Sequence, residues 1–308
     1  MPETTRVGHR FGNASTDIKL DVIAAYLRQF TTALRERFPD LIYIDVFSGS
    51  GAREVLHKAA PADLVEAARE EWIEERRGSA RLALENSPPF SRLVFIENKK
   101  AFCRALRELA DQYPDREVEV LRGDANDKVL EAIRRPSWAG TRAVMFIDPY
   151  GMQLRWATLE AISRTEAVDL WYLVTLQGLY RQATQDRRKI TPKKRAALNR
   201  MLGSEGWEQA WYTPKPVGAL FEALEGPPAM GNVRVADVND MEAYVRERLE
   251  SIFPYVSPEP LRLNTKGGAP GFALFFACSN PKPQAFGLAA RIADHILRVG
   301  KSSQVRSR

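Results

Sequence analysis

Carboxylates and glycines stand directly after several apolar runs of the sequence. YIDVF contains Asp45 and leads into Gly49 and Gly51, LVFIE ends in Glu97, and VLRGD ends in Asp124. Glycines at such a turn let the chain bend sharply and bring backbone N–H groups close to a ligand. A carboxylate at a strand end can accept hydrogen bonds from ribose hydroxyls or from the amino group of a base. Each feature alone is also typical of a strand end, a turn or a helix cap.

Taken together, the acids and the glycine pair predict one pocket, because the ends of successive parallel strands meet at one edge of a sheet. The pocket suits an adenosine that carries an amino-acid tail. S-adenosylmethionine fits it better than NAD, since no further phosphate-cradling signature follows and no proton relay of His or Tyr with Lys stands out. Glu97 lies 46 residues beyond Gly51. The usual spacing in nucleotide-binding folds is about 20 residues, so an insertion is required.

The segment AVMFIDPYGM places Asp148, Pro149 and Tyr150 at the end of another apolar run. The carboxylate of Asp148 could accept hydrogen bonds from an exocyclic amine of a base and orient the nitrogen lone pair towards a methyl donor. Pro149 would fix the backbone, and Tyr150 would offer a face for stacking on an extruded or unpaired base. The alternative is an Asp-Pro turn that only ends the strand. The neighbouring pocket favours the chemical interpretation.

Strands and helices alternate through the first two thirds of the chain, which predicts a parallel sheet with helices on both faces. Strands are predicted at 41–47, 92–98, 117–125, 143–151 and 168–176. The last third has a helix at 240–253, two strands joined by a Gly-rich turn within 260–280, and a closing helix at 284–299. A parallel sheet that ends in an antiparallel hairpin is the arrangement of a Class I methyltransferase. We therefore predict one α/β domain over residues 1–308, with a mostly parallel, Rossmann-like sheet of seven strands.

Two insertions interrupt this alternation. Residues 53–77 contain a charged run that predicts a helix over 61–77, and Ser79 is predicted to cap the next helix. Residues 178–235 follow the fifth strand and are predicted to be basic and helical. The second insertion should lie near Asp148, so seven of its cations are predicted to contact nucleic-acid phosphates: Arg181, Arg187, Arg188, Lys189, Lys193, Lys194 and Arg195. A solvated helix face is the alternative.

The composition favours a soluble globular enzyme. Hydrophobic residues make up 44% and charged residues 27% of the 308 residues, and the net charge of +6 agrees with nucleic acid as a partner. Cys103 and Cys278 lie in apolar surroundings, which is typical of buried thiols in a reducing compartment. The three histidines and two cysteines lack metal-ligand spacing. Neither a signal-peptide core nor a run of about 18 apolar residues occurs, so we expect a cytoplasmic protein without a metal or a membrane segment.

The motifs YIDVFSGSG, GSARLALE, FIE, GDAND and FIDPYG together resemble the three-Cys-motif partner family, bacterial proteins of the methyltransferase fold found beside a three-cysteine-motif protein. This resemblance spans roughly residues 13–297 and implies a companion protein. More distantly, FGNASTDIKLD and Asp148-Pro149 are similar to motifs of the bacterial methyltransferases that modify adenine N6 in large-subunit ribosomal RNA. That likeness implies that Lys19 contacts the cofactor or the target, and that Asp148 and Pro149 are catalytic. The predicted cofactor-binding residues are Lys19, Asp45, Phe47, Gly49, Gly51, Glu97, Asp124 and Ala125.

The sequence departs from the adenine motif after Pro149, where that family has a second proline and an aromatic residue. Tyr150 and Gly151 stand there instead, so stacking would fall to Tyr150 or Trp156. Asp-Pro-aromatic-Gly also resembles the motif of the tRNA guanine-N2 methyltransferases. Two functions remain open. One is S-adenosylmethionine-dependent methyl transfer to an exocyclic amino group of a base, with adenine N6 favoured. The other is a non-catalytic methyltransferase-fold subunit of a phage defence or repair module.

Overall fold

The computed structural model describes residues 14–57, 72–216, 230–264 and 270–306. The strands are β1 Asp40–Val46, β2 Ala52–His57, β3 Trp72–Arg77, β4 Arg92–Glu97, β5 Val118–Arg122, β6 Thr141–Ile147, β7 Val168–Thr175, β8 Tyr212–Pro216, β9 Met230–Arg234, β10 Tyr255–Val256, β11 Leu261–Asn264 and β12 Pro270–Cys278. The helices are α1 Ala14–Leu34, α2 Ser79–Leu84, α3 Lys100–Ala110, α4 Ala125–Ala132, α5 Trp156–Ser163, α6 Leu176–Gln182, α7 Pro192–Leu202, α8 Trp207–Trp211, α9 Val238–Glu250 and α10 Pro283–Arg306. A short 3-10 helix covers Arg187–Lys189.

The central sheet confirms the predicted Class I topology. Its order is β10–β12–β7–β6–β1–β4–β5, and β11 also pairs with β12. The strands β1, β4, β5, β6 and β7 are parallel, whereas β12 runs antiparallel to β7. The sheet has eight strands rather than seven, because the outer edge consists of two pieces, β10 and β11, that pair with different parts of β12. From β1 the chain proceeds outward through β4 and β5 and then returns to β6 on the other side. The topological switch point therefore lies between the ends of β1 and β6, where such sheets bind ligands.

Each face of the sheet carries its own hydrophobic layer. Strands covered on both faces bury both alternating sets of side chains, which explains their continuous apolar runs. Ile44 packs into one layer and Tyr43 into the other. In the second layer Tyr26 of α1 meets Trp171 of β7 edge-on, with ring centroids 5.1 Å apart. An aromatic pair of this kind contributes about 0.5–1.5 kcal/mol beyond its area burial. This packing fixes α1 against the sheet and so positions the residues that α1 carries.

The insertion at 53–77 differs from its prediction. Strands β2 and β3 form an antiparallel ladder from Ala52 opposite Arg77 to His57 opposite Trp72. The helix predicted over 61–77 is therefore wrong for residues 72–77, and residues 58–71 lie outside the described part of the chain. The physical reason is that a hydrogen bond holds the two ends of the insertion together. The Gly78 amide donates to the Gly51 carbonyl at 3.0 Å, which brings the two ends side by side and favours strand pairing over the local charge pattern.

The start of α2 also differs. Gly78, not Ser79, occupies the N-cap position, and Ser79 is the first helical residue. A side chain built on Gly78 would collide with the Gly51 carbonyl oxygen at 2.7 Å, so the backbone contact that closes the insertion requires glycine there. The hydroxyl of Ser79 instead interacts with the carboxyl group of Asp45.

The insertion at 178–235 is helical in part. It contains most of α6, the 3-10 helix, α7 and α8, but it also contains the antiparallel pair β8–β9, which the sequence did not predict. Residues 217–229 lie outside the described part. Among the described helices, none is long and apolar enough to cross a membrane. The described residues also contain no cluster of three or more His, Cys, Asp or Glu side chains that could hold a metal ion.

Candidate active site at the switch point

The glycine loop leaves β1 through three left-handed residues. Phe47 has φ +68°, Gly49 has φ +64° and Gly51 has φ +77°. This conformation costs a residue with a side chain about 1–2 kcal/mol, so Phe47 is held there by its surroundings. The amides of Phe47 and Ser48 both donate to the Ile96 carbonyl at 3.1 Å, which bends the loop across the end of β4. Such strain in a loop at a switch point is typical of functional sites.

Glu97 at the end of β4 holds the glycine loop in place. Its Oε2 accepts a hydrogen bond from the Gly49 amide at 3.0 Å, and its Oε1 accepts from the Asn98 and Lys99 amides at 2.8 and 2.9 Å. A carboxylate has about four acceptor positions, so these three bonds fix Glu97 and leave one position on Oε2. The residue predicted to bind ribose is therefore preorganised, with capacity for a further donor.

Asp45 is a buried acid whose carboxylate accepts no hydrogen bond of normal geometry among the described residues, although the hydroxyls of Ser79 and Tyr43 lie close to it. It is 1% exposed, and neither carboxylate oxygen accepts a hydrogen bond there. Burial raises the pKa of Asp45 from 3.8 to about 7. The charge of Asp148 raises it further, whereas the hydroxyls of Ser79 and Tyr43 and the charge of Lys19 lower it. A buried acceptor left in this state costs about 1–3 kcal/mol, and that cost marks a place where a donor on a ligand would be stabilised.

Asp148 lies beside Asp45 on the same face of the sheet. The register pairs Asp45 with Phe146, and Asp148 is two residues beyond Phe146. The Asp148 amide donates to the Val46 carbonyl at 3.3 Å, which joins the ends of β6 and β1. The carboxylate of Asp148 forms an ion pair with Lys19, which is almost fully buried on α1. Two acids and one lysine thus meet at the switch point, although Lys19 lies far away in the sequence.

Tyr150 lies close enough to Glu97 and Asp148 for both charges to act on its hydroxyl. Burial raises the pKa of Tyr150 to about 12, with the charges of Glu97 and Asp148 adding to the shift. Its ring stands edge-on to Phe47, with centroids 6.4 Å apart, and the Lys99 ammonium lies 5.7 Å from its centroid. The side chain is nevertheless 46% exposed. Tyr150 therefore presents a partly exposed ring beside both carboxylates.

Pro149 and Trp156, which follow Asp148, are both buried. Pro149 is buried and continues the chain at the edge. Trp156, suggested as an alternative stacking residue, is buried beneath Gly203 and lies 4.6 Å from the Arg248 guanidinium. It belongs to the hydrophobic core and is wrong as a base-stacking candidate. A Cβ on Gly203 would lie 2.1 Å from the indole of Trp156, so the turn packs directly against this ring.

Asp124 caps helix α4, as the alternative interpretation of this residue proposed. Its Oδ1 accepts from the Asn126 and Asp127 amides at 3.0 and 3.3 Å, and Arg155 approaches the same oxygen at 3.4 Å. Among the described residues these donors all use Oδ1, so Oδ2 can accept a hydrogen bond from a ligand. Ala125 follows as the first residue of α4 and is buried. Asp124 can therefore cap α4 through Oδ1 and contact a ligand through Oδ2 at the same time.

Asn126 has a structural role that sequence reasoning missed. Its amide nitrogen donates to the Gln153 carbonyl at 3.1 Å, and its oxygen accepts from the Arg155 amide and the Thr158 hydroxyl at 2.8 and 2.9 Å. These bonds fix the loop that follows Asp148 to the start of α4. The signal in the sequence was Asn126 itself, the second polar residue of GDAND, because a helix on the surface does not require an asparagine at that position.

The basic segment divides into tethered and outward-facing cations. Arg187 and Arg195 both form ion pairs with the buried carboxylate of Glu208. Arg188 pairs with Asp186 at 2.9 Å. The other four predicted phosphate-binding residues are exposed or half-buried on the surface: Arg181, Lys189, Lys193 and Lys194. The tethered arginines fix the segment to the domain, so the lysines are the cations best placed to meet phosphate.

Comparisons with known proteins were made at the levels of sequence and structure. No family model and no curated protein matches the sequence. A solved Legionella pneumophila protein of the family DUF519 is similar over 91% of both chains at 14% identity, with a TM-score of 0.47. The N-terminal domain of EvdMO1, solved with SAH and D-fucose, is similar over 90% of this chain and 91% of its own at 13% identity and a TM-score of 0.39. The 23S rRNA methyltransferase ErmE is similar over 80% and 85%, at 15% identity and a TM-score of 0.31. All three scores are below 0.5, so the fold assignment rests on the strand order of this chain.

Proposed function

We propose that the protein is an S-adenosylmethionine-dependent methyltransferase that acts on an exocyclic amino group of a nucleic-acid base, with adenine N6 as the favoured target. The observation that carries the proposal is the pair of acids at the switch point. Asp45 is buried and accepts no hydrogen bond of normal geometry among the described residues, and Asp148 stands beside it, fixed by Lys19. An unpartnered buried carboxylate suits a cationic ligand.

The residues at the edge fit S-adenosylmethionine part by part. Glu97 would accept the ribose hydroxyls through its remaining lone pair, and Asp124 Oδ2 would accept from the adenine amino group. The ammonium of the amino-acid tail would be stabilised by Asp45. When bound, the cofactor supplies a methyl group on a positively charged sulfur.

Asp148 would position the attacking amine. A carboxylate oxygen of Asp148 accepts a hydrogen bond from the amine and directs the nitrogen lone pair towards the methyl carbon. With the cofactor bound, an N–C bond would form as the C–S bond broke, and Asp148 or water would take the one proton that the methylated amine must lose. The contribution of the protein is alignment and stabilisation of the developing charge. Lys19 keeps the carboxylate in one orientation before the base arrives.

Calorimetric titration with S-adenosylmethionine tests the pocket. The wild type should bind, Asp45→Asn should bind much more weakly, and the exposed control Asp111→Asn should bind as the wild type does. Transfer of a labelled methyl group to RNA and DNA, with Asp148→Asn as the blank, then tests the reaction. Absence of cofactor binding by the wild type would reject the proposal.

The second candidate is a methyltransferase-fold subunit that binds nucleic acid and a three-Cys-motif companion without transferring a methyl group. Gly151 favours it, because the residue after Tyr150 has no side chain with which to hold a base. Cofactor binding with no labelled product on any RNA or DNA pool, and with co-purification of the companion, would favour this candidate over the enzyme.

A further inference from the structure

The exposed aromatic side chains of the described chain are concentrated at one place. Three aromatic residues are more than a third exposed: Tyr150 at 46%, Tyr180 at 42% and Phe272 at 37%. Tyr150 follows the end of β6, Tyr180 lies on α6 directly after β7, and Phe272 is opposite Thr175, the last residue of β7. All three therefore lie at the edge of the sheet that carries Asp148. Exposed aromatic residues distributed at random over the surface would not be expected to lie all at this edge.

Phe272 and Asp148 lie on the same face of the sheet. Phe272 is two residues from Leu274, which packs in the same layer as Phe146, and Asp148 is two residues from Phe146. Two strand spacings of about 4.8 Å and two residues of rise at about 3.3 Å separate their backbones, or roughly 12 Å. A phenylalanine side chain and a nucleobase together span most of this distance. Phe272 is therefore within reach of a base whose amine contacts Asp148, or of the base next to it.

Tyr180 has one face closed and rigidly supported. The Arg234 guanidinium lies 3.5 Å from the centroid of the Tyr180 ring. Arg234 is itself buried, and its Nη1 donates to the carbonyls of Tyr180 and Ala183 at 2.8 and 2.9 Å. The exposed part of the ring is therefore the opposite face and the edge. A ring that is held in place loses little conformational freedom when a base stacks on it.

Cations flank the aromatic residues. Arg181 is adjacent to Tyr180 in α6, and the exposed Lys189 and Lys193 follow in the same insertion. Aromatic rings beside a row of cations are the usual surface for a single-stranded nucleic acid, because the rings stack on bases and the cations contact phosphates. The cations favour an anionic ligand, and the rings beside them favour one that carries bases.

We propose that Phe272 and Tyr180 form a stacking surface for unpaired bases of a single-stranded nucleic acid on the two sides of the β7 end. Phe272 stacks on the target base or on its neighbour, and so fills the role for which Gly151 has no side chain. Tyr180 stacks on a flanking base as the strand passes towards the lysines. The identity of the ligand rests on the proposed function, whereas the surface itself is defined by these two rings.

Fluorescence anisotropy with short labelled RNA and DNA, single-stranded and duplex, tests this surface in the full-length protein without cofactor. Phe272→Ala and Tyr180→Ala should each weaken single-strand binding about tenfold, a typical loss for one stacked base, and leave its salt dependence unchanged. Phe272→Trp and Tyr180→Trp should retain the wild-type affinity. The control is Leu130→Ala, an apolar residue on α4 that is 39% exposed. Comparison of the affinities for RNA and DNA shows whether the surface prefers ribose or deoxyribose.

The outcomes separate the stacking surface from the methyl transfer. Wild-type affinity in the Phe272→Ala/Tyr180→Ala double variant would overturn the surface and leave the proposed function standing. The surface would also be rejected if the tryptophan variants bound as weakly as the alanine variants, since the loss would then reflect altered folding. If the wild type bound no oligonucleotide, both the surface and nucleic acid as the substrate would be rejected. Failure to bind S-adenosylmethionine, with stacking intact, would reject only the enzyme.

Discussion

Lys19 on the first helix forms an ion pair with Asp148, which lies 129 residues further along the chain. The bond uses Oδ2 of Asp148, so Oδ1 is the oxygen that can accept a hydrogen bond from a base amine. The charge of Lys19 also lowers the pKa of Asp45, whereas the charge of Asp148 raises it. One buried lysine therefore balances two acids, and the first helix contributes to the site as directly as the sheet does.

Replacing Asp148 with Asn should slow methyl transfer strongly while cofactor binding remains. The amide keeps the shape but loses the charge that pairs with Lys19 and stabilises the amine, so kcat should fall about 10²- to 10³-fold, as for loss of other positioned polar groups. Calorimetry should give a dissociation constant for S-adenosylmethionine close to that of the wild type. A parallel loss of cofactor binding would show that Asp148 acts on the cofactor and not on the target.

Replacing Asp45 with Asn should stabilise the unliganded protein at pH 8. The carboxyl pKa is about 7 in the folded chain against 3.8 in the ordinary state. Between these values the folded state holds a proton that the unfolded state lacks, so the free energy of unfolding decreases as pH rises from about 4 to about 7. Above pH 7 the folded wild type contains an ionised, unpartnered acid. Asparagine is neutral at every pH and avoids this cost.

Urea denaturation of wild type and Asp45→Asn at pH 5 and pH 8 measures the effect. The stability advantage of the variant over the wild type should be larger at pH 8 than at pH 5 by at least about 1 kcal/mol, since one pKa unit corresponds to about 1.4 kcal/mol. Equal stability at both values would mean that Asp45 has a donor in the folded protein. The same variant separates loss of cofactor binding from loss of folding.

The sequence predicted the sheet and the residues at its edge because both depend on local patterns. The run LIYIDVF marks a strand, and strands in a parallel sheet must end at the same edge, so Asp45 and Glu97 could be brought together without coordinates. The pairing of β2 with β3 was not predictable, because the charged run in 61–77 has helical charge spacing and the closing bond between Gly51 and Gly78 is a tertiary contact. The tethering of Arg187 and Arg195 by Glu208 was hidden for the same reason. Sequence spacing indicates which cations are near each other, but not which of them a buried acid holds.

Two glycines with the same backbone conformation should respond differently to alanine. Gly51 has φ +77° and Gly151 has φ +76°. A Cβ on Gly51 would lie 2.6 Å from a methyl group of Leu109, whereas a Cβ on Gly151 would meet no heavy atom within 4 Å. Both substitutions carry the left-handed strain of about 1–2 kcal/mol, and Gly51→Ala adds overpacking of about 1–3 kcal/mol.

Thermal unfolding of the two variants should therefore show a larger loss for Gly51→Ala than for Gly151→Ala. Cofactor affinity should also fall for Gly51→Ala, because the loop that Glu97 holds at the end of β1 must shift. Gly151→Ala serves as the matched control for backbone strain alone. Equal losses would indicate that the side chain of Leu109 relaxes freely.

The outward-facing lysines, rather than the tethered arginines, should set the salt dependence of nucleic-acid binding. Lys189→Glu/Lys193→Glu should weaken binding and make the slope of log affinity against log salt shallower, by about 0.7 for each phosphate of a single strand that the protein no longer neutralises. Reversal of Arg187 or Arg195 should instead unfold the segment, since it would leave the buried carboxylate of Glu208 facing a like charge. Anisotropy at several salt concentrations, beside thermal unfolding of each variant, distinguishes the two effects. An unchanged slope in the lysine variant would remove residues 189–193 from the nucleic-acid interface and assign these cations to the solvated surface of the domain.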